Sequence, residues 1–574
     1  LAQPPQTPKQ LASWLPQPGP AGSVYNTGMR AFSTRQAGRR ATSVVVVAIA
    51  WWAVAQPASA QLGVDVGERT VPTQTHDMAL AALASGDFQG ALQIAGREYQ
   101  GAIQFGGQRW IDSIAAATLV GECQYELGNL REAVAAYEDA LRLATVHGDW
   151  LLAVQFPSQR LRARSQPRTA TWGRSSRNAT PAAFPDVVSI RQGSNPEIVL
   201  KKGGVLAAPV NFPIRPQPIM RAIVVALYRH GSILGELASD AALVTDLRQV
   251  LGKRLAPPNH YSQACVDIAF GMACWAQGRT DEAFGRFKMG LLAENQFDHP
   301  LTCWALIGMG RIAIDAGRDA EAAAFFEEAT YTAADFGDAR ALEEAFAWAG
   351  TAHLAAGSRG VPATLVGGAA WARGSLPVLH ARLLATQAEC LAVAGELPAA
   401  AKVLSGVDAR VLRGDPGRGL CGADVAYASS AVAYRTGDGI AGDRELLRSI
   451  GIMQPRATRL FQIAKLVELV RAGASTVSDR RADELLRDLL SDPRPRWFTI
   501  DPVGTLAAIT APRDDAFETW IDVAARRGLE DGKVAAEVTT RARWLAAQPL
   551  GGRRTAVEAL IGSPSEDLAP ADAD

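Results

Sequence analysis

Apolar residues recur with a helical period over most of this chain, and one longer pattern repeats within it. Between Tyr261 and Thr330 that pattern occurs twice in succession. Each copy has a small residue, a glycine seven positions later, an alanine five positions after that and an aromatic residue four further on. The two copies are Gly271, Gly278, Ala283 and Phe287, followed by Gly310, Gly317, Ala322 and Phe326.

The pattern predicts pairs of antiparallel helices. Two helices approach closely only where a side chain is small, which Gly271 provides on the first helix and Ala283 on the second. Gly278 lies where the first helix must end, because glycine adopts the left-handed backbone conformation at low cost. Phe287 would then fill the space between one hairpin and the next. Each copy therefore predicts one helical hairpin.

Further copies extend the pattern in both directions. Turn glycines recur as Gly86, Gly128, Gly278, Gly317, Gly357, Gly395, Gly437 and Gly473. Successive glycines lie 36 to 42 residues apart, except for a gap of 150 residues between Gly128 and Gly278. The copy at Gly128 is well formed, with Gly121, Ala133 and Tyr137 in register. Later copies lose single positions.

This combination of residues at fixed spacing resembles the tetratricopeptide repeat (TPR) family. The resemblance implies an all-α fold, a TPR-like α-solenoid of antiparallel helical hairpins. An N-terminal signal or anchor segment would precede it, and an irregular basic insertion would interrupt it. The steps exceed the ~34 residues of a minimal TPR, so we expect lengthened helices or loops. A HEAT-type solenoid has that longer period and is the alternative, but the glycine-alanine-aromatic signature favours TPR.

Breaks in the helical pattern divide the chain into segments. Prolines interrupt it between residues 157 and 215, and Asp492-Pro493-Arg494-Pro495 interrupts it again. We expect a disordered leader with a signal or anchor (1–60), N-terminal TPR repeats (61–156), a Pro/Arg-rich irregular insertion (157–215), TPR-like repeats (216–490), closing helices (491–562) and an acidic disordered tail (563–574). Within the fourth segment, Ile219–Leu234 and Ala241–Leu251 predict a degenerate hairpin that fills the long gap.

The segment that begins at Met29 has the features of a secretory signal. Four arginines precede an apolar core, Val44–Ala55. Ala58 and Ala60 then supply the small residues of a cleavage site. An uncleaved membrane anchor is the alternative, because the uncharged stretch is long enough to span a bilayer. Both interpretations predict an exported protein, either periplasmic or at the cell envelope.

Charge and cysteine content add little to this picture. Lys+Arg and Asp+Glu both number 58, so the net charge gives no indication of a nucleic-acid or membrane-surface partner. The six cysteines form no Cys-x-x-Cys pair. We expect them to be small buried apolar residues, with disulfides between neighbouring repeats as the alternative.

The insertion is locally basic. Between Pro157 and Lys202 it has nine basic residues against two acidic ones. One hypothesis is an arm that binds an anionic partner. The favoured interpretation is a solvated, partly ordered insertion packed along the solenoid, because the segment has few aromatic residues for stacking on nucleic acid.

We find no motif that predicts catalysis. Gly417 to Gly422 fit G-x-G-x-x-G, but no apolar strand precedes them, as a dinucleotide site requires. His299 and Cys303 could share a helix face, yet further ligands are missing, so a buried helix-start histidine is the simpler interpretation. There is no P-loop, H-E-x-x-H or G-x-S-x-G motif. We expect a non-enzymatic protein with no cofactor and no metal.

The resemblance to TPR proteins implies a concave face lined by the first helices of the hairpins. The residues predicted to form a protein-binding groove there are Glu122, Tyr125, Met272, Trp275, Trp304, Arg311, Arg382 and Glu389. Tryptophan and arginine are common hot spots at protein interfaces, and Trp275 with Arg311 are the strongest candidates. The alternative for each residue is packing against a neighbouring helix.

Residues 61–562 also resemble a group of large exported bacterial TPR proteins of unassigned function. The features are Arg109 to Ser113, Gln296 to Thr302 and Leu550 to Arg553. The resemblance implies a chain that runs on further, and it brings no active site with it. We therefore expect a non-enzymatic exported scaffold that mediates protein–protein interactions at the cell envelope. The alternatives are the helical N-terminal part of a larger enzyme or secretion machine, and a polyanion or nucleic-acid binder through the basic insertion.

The expected partners are proteins or peptides. No small-molecule substrate is evident from the sequence and nucleic acid is not expected. A membrane would be contacted only through the N-terminal segment, if that segment stays uncleaved.

Overall fold

A computed structural model describes residues 69–105, 107–158, 160–165, 170–192, 210–253, 255–257, 260–473, 477–491 and 494–547. The predicted signal segment, with Ala58 and Ala60, and the predicted acidic tail lie outside these residues. Helices dominate the described residues and the strands are short, which confirms the all-α class. Within the same residues, no helix is both long enough and apolar enough to cross a bilayer.

The helices follow one another in short antiparallel steps. The first are α1 (Gln74–Ser85), α2 (Phe88–Gln100), α3 (Asp112–Leu127), α4 (Leu130–Val146) and α5 (Trp150–Ala153). The middle of the chain has α6 (Pro216–Leu234), α7 (Ala242–Leu251), α8 (Ser262–Ala276), α9 (Thr280–Gly290), α10 (Thr302–Asp315), α11 (Asp319–Phe336), α12 (Ala339–Ala355) and α13 (Ala363–Ala372). The last part has α14 (Pro377–Val393), α15 (Leu397–Leu404), α16 (Ala409–Arg413), α17 (Leu420–Arg435), α18 (Gly439–Met453), α19 (Thr458–Arg471), α20 (Asp479–Leu490), α21 (Pro495–Ile500), α22 (Pro502–Thr510), α23 (Asp514–Arg527) and α24 (Leu529–Ala547).

The turn glycines take the backbone conformation that ends a helix. The eight turn glycines of the sequence pattern have φ between 62° and 89°. At Gly128, for example, the backbone N–H donates to the carbonyl of Tyr125, and the next N–H, of Asn129, donates to the carbonyl of Gln124. These bonds satisfy carbonyls that the end of α3 would otherwise leave free.

In the three best-formed copies, the small residue lies against an aromatic ring of the same hairpin. A Cβ added to Gly121 would lie 2.5 Å from the ring of Tyr137, and one added to Gly310 would lie 2.5 Å from the ring of Phe326. Phe287 lies between two hairpins, because its ring would meet a Cβ on Gly271 at 2.8 Å and one on Gly308 of α10 at 2.5 Å. The pattern therefore specifies contacts both within hairpins and between them.

The described residues of the basic insertion form short strands joined by irregular backbone. These strands are β4 (Arg162–Ala163), β5 (Thr180–Ala183), β6 (Val188–Gln192) and β7 (Val210–Ile214). Strand β3 (Val154–Gln155) lies just before the insertion, and β1 (Gln104–Phe105), β2 (Gln108–Arg109) and β8 (Phe297–Asp298) lie elsewhere. The strands form the sheets β3-β6-β7 and β4-β5-β8. Because β5 pairs with β8, the insertion joins the loop before α10. The indole of Trp172 donates to Thr330 Oγ1 at 2.9 Å, and Arg177 pairs with Asp298 at 2.5 Å, so the described part packs along the hairpins.

Helix α6 departs from a simple hairpin. α6 and α7 occur where a degenerate hairpin was predicted, but α7 packs against α4 and α8, while α6 packs against α3, α4 and α8. Most side chains of α6 are buried around the whole circumference of the helix. A helix of this kind lies inside a core rather than on a surface. Its position determines what the concave face can present.

The C-terminal helices return to the N-terminal half of the chain. Arg456 Nη2 donates to the carbonyl of Leu127 at 2.9 Å, and Gln462 donates to the carbonyl of Ile233 at 3.1 Å. Arg496 pairs with Asp319 at 2.7 Å. These bonds connect residues near 456–496 to the ends of α3 and α6 and to the start of α11.

Candidate functional site

The predicted groove residues divide into a buried set and a partly exposed set. Met272 and Trp304 are both 0% exposed and Glu122 is 2% exposed, so the prediction that these three residues line an open groove is wrong. Tyr125, Trp275, Arg311, Arg382 and Glu389 keep part of their surface. The physical reason for the difference is helix α6, which covers part of the predicted face.

Two neighbouring residues of α6 contact four of the other helices. The ring of Tyr228 stacks on Trp275 of α8 with centroids 5.5 Å apart and lies 5.5 Å from the ring of Trp304 of α10. Arg229 pairs with Glu122 of α3 and with Glu344 of α12, each at 2.9 Å. The face predicted to receive a partner is thus partly occupied by the chain itself.

A buried network of charges lies on this face. Glu122 accepts from Arg229 at 2.9 Å, from Arg340 at 3.1 Å and from the hydroxyl of Tyr137 at 2.7 Å. Burial alone would raise the pKa of Glu122, but Arg229 and Arg340 outweigh it and lower the pKa to about 2. Arg340 also pairs with Glu126 at 2.6 Å. Buried charges of this kind are tolerated because each has a counter-charge within hydrogen-bond distance.

Glu343 is the member of the network with an unsatisfied oxygen. Its Oε2 accepts from Arg340 at 2.5 Å, while its Oε1 is buried and has no partner in the described residues. Burial raises the pKa of Glu343 to about 7, although Arg340 opposes that change and Glu126 adds to it. Glu343 therefore changes charge close to neutral pH.

Arg311 lies between aromatic side chains on the partly exposed side of the face. Its guanidinium carbon lies 4.1 Å from the ring centroid of Trp348 and 5.2 Å from that of Trp275. One nitrogen donates to the hydroxyl of Tyr228 at 3.3 Å. Among the described residues, Arg311 has no carboxylate within 4.0 Å, and its buried Nε has no acceptor. This site, formed by Tyr228, Trp275, Arg311 and Trp348, is called the Arg311 site below.

The aromatic walls of the Arg311 site are themselves held in place. Trp348 stacks on Phe326 with centroids 5.9 Å apart, and its indole N–H lies 3.0 Å from Tyr228 Oη and 2.9 Å from Glu344 Oε1. The Tyr228 hydroxyl donates to the same Glu344 oxygen at 2.5 Å. Several hydrogen bonds and ring contacts consequently hold the site, and Glu344 makes two of them.

Arg382 and Glu389 belong to a separate part of the face, on α14. Arg382 pairs with Asp424 of α17 at 2.8 Å. Burial, and secondarily the charge of Asp424, raise the pKa of Glu389 to about 8. Among the described residues, neither side chain hydrogen-bonds to a member of the Arg311 site.

Sequence reasoning missed two members of the Arg311 site. Tyr228 lies on a helix without the repeat signature, and its approach to Trp275 depends on how α6 is placed. Trp348 lies one turn after Glu344 on α12, and its indole donates to that carboxylate. The structure does bring together the two strongest sequence candidates, Trp275 and Arg311.

Other candidate chemistry does not assemble into a site in the described part of the chain. All six cysteines are buried and free, rather than paired between repeats. His299 is buried, and its Nε2 lies 2.7 Å from the carbonyl oxygen of Gly290. Within the described residues, no three His, Cys, Asp or Glu side chains are placed to hold a metal ion.

One of the comparisons with known proteins supports the repeat architecture. The family model for the tetratricopeptide repeat matches residues 115–147, which cover most of α3 and α4. No curated protein matches the chain. A crystal structure of the APC/C hetero-tetramer Cut9-Hcn1 is similar over 82% of this chain and 83% of that one, with 13% identity and a TM-score of 0.20. A TM-score this low does not show that the two chains share a fold. The chain thus contains a tetratricopeptide repeat within an α-solenoid.

Proposed function

We propose that this protein is a non-catalytic scaffold that binds segments of other proteins at the Arg311 site. Tetratricopeptide repeats are stacked modules whose concave faces serve as extended binding surfaces. The observation that supports the proposal is Arg311, which is partly exposed and has unused donors. In contrast, Arg229 of α6 and Arg340 of α12 are paired with carboxylates. Its tryptophan neighbours are residues that often anchor interfaces.

A crosslinking pull-down with matched variants tests this proposal. Arg311→Gln removes the charge in the site, while Arg318→Gln removes one at the exposed start of α11, where Arg318 pairs only with Glu321 in the described residues. We expect the wild type and Arg318→Gln to capture the same proteins and Arg311→Gln to lose them. Partners that bind all three proteins equally would place binding elsewhere on the chain.

We also propose that the protein is exported and acts at the cell envelope. The proposal rests on the apolar stretch Val44–Ala55 and on the small residues Ala58 and Ala60. Cell fractionation with mass spectrometry of the N-terminus tests it. An N-terminus near Gln61 in an extracytoplasmic fraction supports export and cleavage, and an intact segment in the membrane fraction supports an anchor. An intact N-terminal segment in the cytoplasm would overturn the proposal.

A further inference from the structure

Two small cavities lie side by side along the contact between α6 and α8. The larger one, of about 30 Å³, is bordered by these two helices and by residues of α4, α5 and α7. The smaller one, of about 10 Å³, is bordered by the same two helices, by the insertion and by the residues just before α10. Met220 of α6 and Cys265 of α8 line both cavities, so the two spaces adjoin at these side chains.

We propose that the two cavities form one binding site for a small, neutral, straight-chain aliphatic alcohol. This site would give the scaffold a small-molecule ligand in addition to its protein partners. It is separate from the Arg311 site, because no residue of that site lines either cavity. Three features support the inference: the elongated arrangement of the lining residues, the flexible methionine between the cavities, and one buried hydroxyl without a partner in the described residues.

The lining residues recur once per turn along both helices. At the start of α8 and along it they include Tyr261, Cys265 and Ala269, which span about 12 Å at a rise of about 1.5 Å per residue. On α6 they include Met220 and Ile223, which lie one turn apart. A small volume spread over this length is narrow, so a straight chain fits it better than a ring does. The described residues that line the larger cavity are hydrophobic or, in the case of Cys265, weakly polar, which suits an aliphatic chain.

Met220 lies where the two cavities meet, and its side chain can turn aside. A cavity of about 10–15 Å³ holds one water molecule, so the two spaces as they stand hold only part of an aliphatic chain. Methionine is unbranched and has three rotatable bonds, so it adapts its shape at low cost. Met220 is 7% exposed and therefore reaches the protein surface. A turn of this side chain towards the surface would join the cavities and open them to a ligand.

The smaller cavity determines the end group of the ligand. Tyr261 lines it and is 8% exposed, and its hydroxyl oxygen is buried with no hydrogen-bond partner in the described residues. Burial raises the pKa of Tyr261, so the hydroxyl stays protonated and can donate to a ligand oxygen. None of the described residues that line either cavity is charged. A carboxylate or an ammonium group would be buried there without a counter-charge, so the end group must be neutral.

NMR of isotope-labelled methionine methyl groups tests the inference on the full-length protein. Met220→Leu and Met289→Leu each identify one methyl signal by its loss. The ligands are octanol, octanoate, octylammonium and cyclooctanol, which differ in end group or in shape. We expect octanol to shift the signal of Met220 until it saturates, while the signal of Met289 stays constant, because Met289 is 63% exposed and lines neither cavity. The other three ligands should leave the Met220 signal in place at the same concentration.

Variants then test the roles of Tyr261 and Met220, with octanol affinity measured by calorimetric titration. Tyr261→Phe should weaken octanol binding by about two- to tenfold, because one hydrogen bond is lost. Tyr331→Phe should leave it unchanged, because Tyr331 lines neither cavity. Met220→Ala should tighten octanol binding, because no side chain has to turn aside, and Met289→Ala should not change it. Thermal unfolding checks that each variant is folded, and Tyr261→Phe still decides the question if Met220→Ala is not.

Each contrary outcome removes a different part of the inference. A constant Met220 signal up to the solubility limit of octanol would mean that the cavities do not admit the chain. Equal shifts at Met220 and Met289 would mean that octanol adsorbs to the surface only. Binding of octanoate, octylammonium or cyclooctanol as tight as that of octanol would contradict the assigned end group or shape. Wild-type affinity in Tyr261→Phe would show that the Tyr261 hydroxyl does not hold the ligand.

Discussion

Arg340 Nη2 lies 2.6 Å from Glu126 Oε1, although the two residues are 214 positions apart in the chain. Arg340 is on α12 and Glu126 is on α3. The same guanidinium also meets Glu122 at 3.1 Å and Glu343 at 2.5 Å. One arginine therefore joins an early hairpin of the solenoid to a middle one, with α6 enclosed beside it.

Replacing Arg340 by alanine should strongly destabilise the protein. The substitution leaves Glu126 and Glu343 without their arginine and removes one of the two that pair with Glu122. Removing one partner of a buried ion pair typically costs about 3–5 kcal/mol, because the remaining charge stays buried. The midpoint of denaturant unfolding, followed by circular dichroism, measures the effect.

Arg131→Ala provides the control for that experiment. Arg131 also makes a contact that is remote in sequence, with Glu468 at 3.1 Å, but both side chains are more than half exposed. Exposed ion pairs contribute about 0–1 kcal/mol, so this variant should unfold close to the wild type. If the two variants unfold alike, the network around Arg340 is not the connection between the hairpins that the geometry indicates.

Glu343 should make stability depend on pH near neutrality. Because burial raises the pKa of Glu343 to about 7, the folded protein holds this proton more tightly than the unfolded chain does. Its contribution to stability is complete below the unfolded pKa of about 4.5 and is lost as pH rises through about 7. Glu343→Gln cannot ionise, so its stability relative to the wild type should increase between pH 5 and pH 8.

Melting temperatures of both proteins across that pH range check this prediction. Comparing the two proteins at each pH cancels the other titrating groups that they share. Exposed Glu321→Gln is the control, and its difference from the wild type should stay flat. A constant difference for Glu343→Gln as well would show that Glu343 is already ionised at pH 5.

The small residues of the repeat pattern should be sensitive to one added methyl group. Gly121→Ala places a Cβ 2.5 Å from the ring of Tyr137, which is buried and cannot withdraw easily. Overpacking of this kind costs about 1–3 kcal/mol.

Gly285→Ala in α9 is the matched control, since a Cβ there meets nothing within 4 Å. An alanine in a helix interior should stabilise that site by about 0.5–1 kcal/mol. Melting temperatures that shift in opposite directions would agree with both expectations.

The contact of Gly121 and the turn at Gly128 show what could be predicted from the sequence. Hairpins are formed by residues close in the chain, so the position of Gly121 relative to Tyr137 follows from helical spacing alone. The turn at Gly128 is equally local, because glycine is needed where φ is positive. The repeat architecture and the glycine turns were therefore accessible from spacing.

The candidate site could be predicted only in part, because it depends on contacts between residues that are remote in the sequence. Trp275 and Arg311 were identified because their helical positions predict the concave face. What covers that face depends on α6, which lies in the 150-residue gap between recognisable turn glycines and has no repeat signature. Nothing local in the sequence indicates that Tyr228 reaches Trp275 and Trp304, or that Met272 and Trp304 are buried.

Arg456 should protect the end of α3 from local opening. Its Nη2 donates to the carbonyls of Leu127 at 2.9 Å and Glu126 at 3.3 Å, where the helix dipole favours a positive charge. Arg456→Ala removes hydrogen bonds from a charged donor, each worth about 1.5–3 kcal/mol. We expect faster hydrogen–deuterium exchange at the backbone amides of Gly128 and Asn129, which close the α3 turn.

Arg448→Ala is the control, because Arg448 is exposed and its side chain pairs only with Glu445 in the described residues. This variant should leave the exchange at Gly128 and Asn129 unchanged. Unchanged exchange in Arg456→Ala would mean that the turn at Gly128 is stable without the C-terminal helices.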